Sequence, residues 1–194
     1  MKVDIKTAVA NQQQAIQSVV DAEQTVLDIT QTMINCLEKG GKVLWCGNGG
    51  SASEAQHMAA ELMVRYRINR KPLASISLTT DTSILTAHTN DYEFESVFSR
   101  QVEALARPDD MVIGMTTSGT SKNVVKALEK AKKMGCVTIV LVGKIATPIT
   151  KQTDYSIQIN STDTARIQEA HTFINHLICE GLDNFYPAIT LIQK

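Results

Sequence analysis

Two side chains that can bind a divalent metal or move a proton lie four residues apart in the chain. His57 and Glu61 fall in the stretch that starts at Ser51, where apolar residues recur with the period of a helix. A spacing of four residues places both side chains on one face of that helix, about 6 Å apart. The pair suits two ligands of one divalent ion or an acid and a base flanking a substrate, and it equally fits a plain surface pair.

A second set of polar side chains lies among apolar residues near the C-terminus. The pattern predicts a helix over about 164–185, and this helix carries Arg166, Gln168, Glu169, His171 and His176. Spacing alone pairs Gln168 with His171, because about 12 Å of helix rise separates Gln168 from His176. Only a metal ion that long side chains reach from the side of the helix could bind both Gln168 and His176.

Two loops rich in glycine and hydroxyl residues follow predicted strands, at 47–51 and 116–121. Such loops expose backbone N–H groups at a helix N-terminus, and open α/β sheets bind ligands at the carboxyl ends of their strands. The first loop lacks the Walker lysine and the full dinucleotide fingerprint, which disfavours a nucleotide. A polyol at the first loop and a sugar phosphate at the second fit the residue types. Ordinary helix caps and tight turns use the same residues.

The elements that must position these residues alternate between strand and helix. Apolar or β-branched segments predict five strands, at 42–46, 72–78, 111–115, 136–142 and 155–159. Helical patterns separate them, starting at 51 with a capping box formed by Ser51 and Glu54, then at 81–88, 94–105 and 123–134. Right-handed crossovers then give an α/β fold, a three-layer αβα sandwich with a five-stranded parallel sheet.

A long or once-broken N-terminal helix, at about 3–37, precedes the first strand and has no strand partner. We expect it to pack on a neighbouring subunit. Because no repeat or linker interrupts the pattern, the sequence predicts one domain over 1–194, with 1–37 used in oligomerisation.

Composition excludes several classes of protein. The 194 residues carry a net charge of −1, with 43% hydrophobic and 20% charged residues, which is typical of a globular chain. The near-neutral balance argues against nucleic acid or anionic membranes as partners. The four cysteines are scattered, and no apolar run predicts a signal peptide or a membrane span. We therefore expect a reduced, cytoplasmic setting.

Taken together, the motifs resemble those of the sugar isomerase (SIS) family, and within it the phosphoheptose isomerases. The resemblance covers essentially the whole chain. Its motifs are the strand 42–44 with the loop 46–51, His57-x-x-x-Glu61-Leu62, Asn90-Asp91, Thr117-Ser118-Gly119-x-Ser121 and Arg166-Ile167-Gln168-Glu169-x-His171. The resemblance implies the SIS fold, assembled as a homotetramer with sites at subunit interfaces.

The resemblance also implies a ligand set and roles, carried over residue by residue. It implies one Zn²⁺ per subunit, held by His57, Glu61, Gln168 and His176, and so overrules the spacing preference for His171. Glu61 and His176 are the implied catalytic acid–base pair. The substrate-binding positions fall on Asn48, Gly49, Gly50, Ser51, Glu61, Arg65, Asn90, Asp91, Thr116, Thr117, Ser118, Ser121 and Gln168.

The implied activity is aldose–ketose isomerisation of sedoheptulose 7-phosphate to D-glycero-D-manno-heptose 7-phosphate, on the route to lipopolysaccharide heptose. One departure from the family pattern is Ala165, where many members carry an aspartate before the arginine. A similar segment occurs in a non-catalytic SIS relative that binds the bacterial replication initiator. That scaffold typically lacks the counterparts of Glu61 and His176, which this chain retains. An isomerase or binder of another sugar phosphate is a further alternative.

Overall fold

The computed structural model describes residues 3–189 of the chain. Five parallel strands form one sheet in the order β2-β1-β3-β4-β5. They are β1 Val43–Gly47, β2 Ser75–Ser77, β3 Met111–Thr116, β4 Val137–Val142 and β5 Tyr155–Gln158. Every residue of β1 and β3 is buried, as expected for central strands of a sheet that is covered on both faces.

Helices cover both faces of the sheet. They are α1 Ile5–Asp21, α2 Glu23–Glu38, α3 Gly50–Met63, α4 Thr82–Asp91, α5 Val97–Leu105, α6 Lys122–Lys133, α7 Pro148–Gln152 and α8 Thr164–Phe185, with a 3₁₀ turn at Phe94–Ser96. One core lies between the sheet and α1, α2, α3 and α8, and the other lies between the sheet and α5 and α6. The predicted three-layer αβα sandwich is therefore confirmed.

Alternation along β1 divides its side chains between the two cores. Trp45 enters the core under α1, α2, α3 and α8, whereas Leu44 and Cys46 enter the core under α5 and α6. Trp45 is fully buried, and its indole N–H donates to Ser75 Oγ on β2 at 2.9 Å. Burial of apolar surface on both faces of β1 thus fixes the strand from which the first glycine loop starts.

The predicted long or once-broken N-terminal helix is broken once, at Ala22, whose amide bonds back to Ser18 and Val19, so α1 and α2 are separate helices. Two other elements differ from the prediction. The strand predicted over 72–78 pairs with β1 only at Ser75–Ser77. The short helix α7 was not predicted. Within residues 3–189, no helix combines the length and the apolar character that crossing a bilayer requires.

Candidate active site

The two glycine and hydroxyl loops lie side by side at the carboxyl edge of the sheet. Gly47 at the end of β1 pairs in register with Met115 near the end of β3, so the chains that leave these strands start as neighbours. The sheet order places β2 on one side of β1 and β4 beyond β3, which makes the β1–β3 boundary the topological switch point. Open α/β sheets form their ligand crevice at this position.

Paired amides join the first loop to the start of α6 across the switch point. Asn48 Nδ2 donates to Asn123 Oδ1 at 2.9 Å, and Asn123 Nδ2 donates to Asn48 Oδ1 at 2.8 Å. Asn123 is buried in the first turn of α6, where its Oδ1 also accepts from the Val124 amide. Sequence reasoning missed Asn123, because an asparagine near a helix start usually serves only its own helix.

Three potential metal ligands from two helices converge between α3 and α8. His57 and Glu61 lie on α3 and His176 lies on α8, and one ligand atom from each lies within 4.8 Å of the others. His57 Nε2 is 3.1 Å from Glu61 Oε1, and the rings of His57 and His176 meet edge-on with centroids 5.1 Å apart. We call these three residues the triad.

Glu54 supports the triad from behind, one turn before His57 on α3. Its carboxylate accepts from Thr172 Oγ1 at 2.9 Å and from Asn175 Nδ2 at 3.1 Å, both on α8. The same carboxylate is 3.6 Å from His57 Nδ1. The predicted capping box of Ser51 and Glu54 is therefore wrong, because Glu54 bonds to the neighbouring helix and Gly49 is the N-cap. The spacing of three residues between Glu54 and His57 was the available signal.

Tyr66 is a further site neighbour that sequence reasoning missed. Its ring stacks on His176 at a centroid distance of 5.4 Å and an interplanar angle of 22°. The Arg67 guanidinium also lies over the Tyr66 ring, 4.8 Å from the ring centroid. These contacts restrict the orientation of the His176 imidazole. An isolated Tyr-Arg pair after a helix end carries no distinguishing pattern in the sequence.

Gln168 lies beside the first turn of α3. Its amide approaches Gly50 so closely that a Cβ built on that glycine would meet it at 2.7 to 2.8 Å. Helices α3 and α8 run in parallel register, since Gln168 faces Gly50 and His176 faces His57. His57 follows Gly50 by two turns, about 10 Å of rise. The structure thus places Gln168 at the glycine loop, and its role as a fourth metal ligand stays a prediction.

The second loop forms a compact set of hydroxyls at the start of α6. Thr116 Oγ1 is 3.0 Å from Ser121 Oγ and 3.4 Å from Ser118 Oγ, and it accepts from the Gly119 amide at 3.2 Å. Gly119 has φ +70°, a left-handed conformation that favours glycine. Thr117 is half-buried, and its carbonyl accepts from the Gly143 amide. Together these groups form a neutral cradle of hydroxyl and amide donors.

Three predicted substrate-binding residues lie apart from this crevice. Asn90 and Asp91 are exposed at the end of α4 and bond to each other at 2.9 Å. Arg65 is exposed just beyond α3 and donates to Asn69 at 3.4 Å. Across residues 3–189, no hydrogen bond links these three side chains to either loop. Their predicted roles are untested by the single chain.

Burial removes the other candidate nucleophiles and bases from the chemistry. His171 is 1% exposed and donates through Nε2 to the Val142 carbonyl at 3.3 Å, and burial lowers its pKa to about 4. The spacing preference for His171 was therefore wrong as a guide to the site. Burial also raises the pKa of the Cys46 and Cys179 thiols to about 12, so both stay protonated at neutral pH.

The donor chemistry of the triad fits a zinc ion. Two imidazoles and one carboxylate are a common protein ligand set of catalytic zinc. Ligand atoms about 2.0–2.1 Å from one zinc lie roughly 3.4 Å apart in tetrahedral geometry. The His57–Glu61 separation of 3.1 Å is close to that spacing, and His176 needs only a small movement.

The fold and the crevice define an α/β domain of the class that binds small ligands at the switch point of a parallel sheet. The sequence profile of the SIS domain family matches residues 9–143. Phosphoheptose isomerase 1 of Campylobacter jejuni is 51% identical over 161 residues, covering 83% of this chain and 87% of that relative.

Two solved structures share the fold over nearly the whole chain. The phosphoheptose isomerase GmhA from Neisseria gonorrhoeae has a TM-score of 0.82 at 38% identity and covers 92% of this chain and 98% of its own. A phosphoheptose isomerase from Francisella tularensis has a TM-score of 0.85 at 33% identity, covering 94% and 100%. The chain belongs to the SIS domain family and, within it, to the phosphoheptose isomerases.

Proposed function

We propose that this protein isomerises sedoheptulose 7-phosphate to D-glycero-D-manno-heptose 7-phosphate, as an intramolecular oxidoreductase on the route to lipopolysaccharide heptose. The observation that carries the proposal is the convergence of His57, Glu61 and His176 between α3 and α8, the helix that follows the first glycine loop and the helix that packs on it. Relatives that share about half of their residues with this chain are named phosphoheptose isomerases, which supports the substrate class.

The reaction needs two proton movements. A base removes the proton from C1 of the ketose to give an enediolate and returns a proton to C2, while the hydroxyl proton passes from O1 to O2. Glu61 and His176 are the proposed acid–base pair, because their side chains come together from two different helices. Tyr66 orients the His176 ring by stacking, and Glu54 lies behind His57.

Zinc is the proposed cofactor, one ion per subunit, with His57, Glu61 and His176 as ligands and Gln168 as the fourth. When bound, zinc supplies Lewis-acid polarisation of the C1 and C2 oxygens. Gln168 in the same chain lies at Gly50, near the ligand loop, so a contact with the sugar also suits its position.

The two loops divide the remaining substrate contacts. The hydroxyls of Thr116, Thr117, Ser118 and Ser121, with the N-terminal amides of α6, form the proposed phosphate site. Asn48, Gly49, Gly50 and Ser51 lie beside it and form the proposed sugar site. The proposed assembly gives substrate-binding roles to three residues that lie apart from this crevice, because an exposed residue can reach the active site of a neighbouring subunit. They are Arg65, Asn90 and Asp91.

A homotetramer of single-domain subunits, with the domain at 1–194, is the proposed assembly. Residues 1–2 and 190–194 lie outside the described part of that domain. Helix α4 buries none of its residues within the chain, and the N-terminal helices expose Val20 and Leu27 beside a groove of about 520 Å³ against α8. Four buried free cysteines support the cytoplasmic setting expected from the sequence.

The proposed assembly predicts a mass about four times the 21.2 kDa of one chain in sedimentation equilibrium. Replacing Val20 and Leu27 by glutamate adds charge to the exposed apolar face of α1 and α2, so the double variant should sediment as a smaller species. A monomeric wild-type protein would contradict the assembly, and an unchanged tetramer in the double variant would exclude this face as its interface.

One assay tests the proposed function. Purified protein is incubated with sedoheptulose 7-phosphate after chelation, with and without added Zn²⁺, and the aldose 7-phosphate is measured. We expect product that depends on zinc. No product under any metal condition would favour the non-catalytic scaffold. Turnover of a different sugar phosphate, without turnover of sedoheptulose 7-phosphate, would show that the protein is an isomerase of another substrate.

Substitution of the triad gives the sharpest prediction for the chemistry. Glu61→Gln and His176→Gln each remove one member of the acid–base pair, and we expect kcat to fall at least 100-fold. Glu169→Gln is the control, because Glu169 is an exposed residue of α8 paired with Arg166. Near-normal kcat in either triad variant would contradict the assignment.

A further inference from the structure

A buried ion pair lies between the two helices that carry the triad. Arg70 follows α3 on the loop to β2, and Asp183 lies near the end of α8. Arg70 Nε is 3.0 Å from Asp183 Oδ1, with the two side chains 0% and 5% exposed. Burying two charges is costly in free energy unless each charge makes further hydrogen bonds. The other hydrogen bonds of Arg70 and Asp183 therefore identify the segments that this ion pair connects.

The other Arg70 donors bind the end of α3. Nη2 donates to the Glu61 carbonyl at 2.8 Å, and Nη1 donates to the Leu62 carbonyl at 2.9 Å. Because α3 ends at Met63, these carbonyls belong to the last turn, which lacks amide partners within the helix. A buried guanidinium therefore caps α3 at the residue that contributes a triad carboxylate.

The second oxygen of Asp183 binds the loop that follows α3. Oδ2 accepts from the Arg67 amide at 2.8 Å and from the Ile68 amide at 3.1 Å. Tyr66, the residue before Arg67, stacks on His176. Asp183 follows His176 by seven residues, so two turns of α8 place both side chains on one stripe.

We propose that Arg70 and Asp183 are positioning residues that set the separation of Glu61 and His176. The inference rests on the proposed function. Glu61 and His176 lie on different helices, so their distance depends on how the end of α3 sits on α8. The ion pair joins the α3 terminus, the loop carrying Tyr66 and α8 through side chains that solvent does not reach.

The test uses a double variant, Arg70→Gln with Asp183→Asn, which leaves no unpaired buried charge. The matched control is Lys71→Gln with Glu38→Gln, an exposed ion pair of 3.0 Å that starts from the same loop and ends on α2. Affinity for Zn²⁺ is measured by competition with a chromophoric chelator. The visible spectrum of bound Co²⁺, kcat and KM are measured at a temperature where circular dichroism shows a folded protein.

We expect the Arg70/Asp183 variant to bind Zn²⁺ 10- to 100-fold more weakly, with an altered Co²⁺ spectrum and a lower kcat at nearly constant KM. The control should match the wild type. A folded double variant with wild-type metal affinity, spectrum and kcat would overturn the proposal.

If the double variant does not fold, Arg70→Lys decides the question. Lysine keeps the charge beside Asp183 but lacks the planar fork that reaches both carbonyls, so weaker Zn²⁺ binding is expected again. Wild-type behaviour of Arg70→Lys would then overturn the proposal. A wild-type protein that neither binds metal nor isomerises the sugar would instead defeat the proposed function itself.

Discussion

At the scale of single residues, the Asn48–Asn123 pair links the first ligand loop to the helix that follows the second. Each amide donates once and accepts once across the switch point. Asn48 keeps one N–H and one lone pair for a ligand, because an amide group carries two donors and two acceptor sites. The orientation of a proposed sugar-binding residue therefore depends on a buried neighbour from the phosphate loop's helix.

Asn123→Asp should weaken substrate binding. The change removes the donor to Asn48 and places a negative charge beside the proposed phosphate site, so KM should rise about tenfold or more, with a smaller effect on kcat. Lys133→Gln is the control, since it changes the net charge equally at the exposed far end of α6. A KM within twofold of the control, measured by steady-state kinetics, would contradict the role.

Residue spacing predicted two members of the triad and pointed to the wrong residue for the third. His57 and Glu61 were identifiable because both lie on one helix. His176 entered only through the family resemblance, because its partners belong to α3 and no spacing within α8 reveals them. His171 misled because five residues turn a helix by about 140°, so His171 is buried against Val142 while His176 faces α3.

At the scale of elements, the strength of the local sequence pattern explains which helices and strands were predicted with the correct ends. The helix expected over 164–185 is α8, Thr164–Phe185, whose N-cap Asp163 accepts from the Ala165 amide. Helix α7 was missed, since its five residues are too few to show a helical period. β2 is shorter than predicted because an edge strand extends only as far as it pairs with the neighbouring strand. The sequence of one strand does not reveal where that pairing ends.

The start of α3 gives a prediction that separates stability from binding. Gly49 has φ +56° and ψ −121°, a conformation open almost only to glycine, although a Cβ at this residue would meet no atom within 4 Å. Gly49→Ala should lower the free energy of unfolding by about 1–3 kcal/mol through backbone strain. Chemical denaturation measures this loss.

Gly50→Ala is the matched comparison one residue later. Its φ is ordinary for a helix, and its Cβ would meet the Gln168 amide at 2.7 to 2.8 Å. Gln168 can swing aside, so stability should change by less than about 1 kcal/mol while KM rises. Equal losses of stability in both variants would show that the two glycines do not differ in this way.

At the scale of the whole molecule, His171 links stability to pH. Burial lowers its pKa from 6.5 to about 4, while its bond to the Val142 carbonyl acts in the opposite direction. Between these pH values the unfolded chain binds a proton that the folded chain does not. The free energy of unfolding therefore has its full value above pH 6.5. It falls by about 3 kcal/mol as the pH decreases towards 4.

His171→Gln should flatten that pH dependence, because glutamine keeps an N–H donor for Val142 and does not titrate in this range. Urea denaturation of both proteins in chelator, at several values between about pH 4 and 7.5, measures the difference. Stability curves that stay parallel over this interval would contradict the assignment.

The N-terminal helices pack on the last helix of the chain, and this has a consequence for synthesis on the ribosome. The core formed by residues of α1 and α2, such as Val19 and Ile29, includes Ile174 and Ile178 of α8. At about 5–20 residues per second, roughly 6–25 s pass between the emergence of α2 and that of α8. The apolar surface reserved for α8 is uncovered during that interval, so the nascent chain is most exposed to aggregation before its final helix is made.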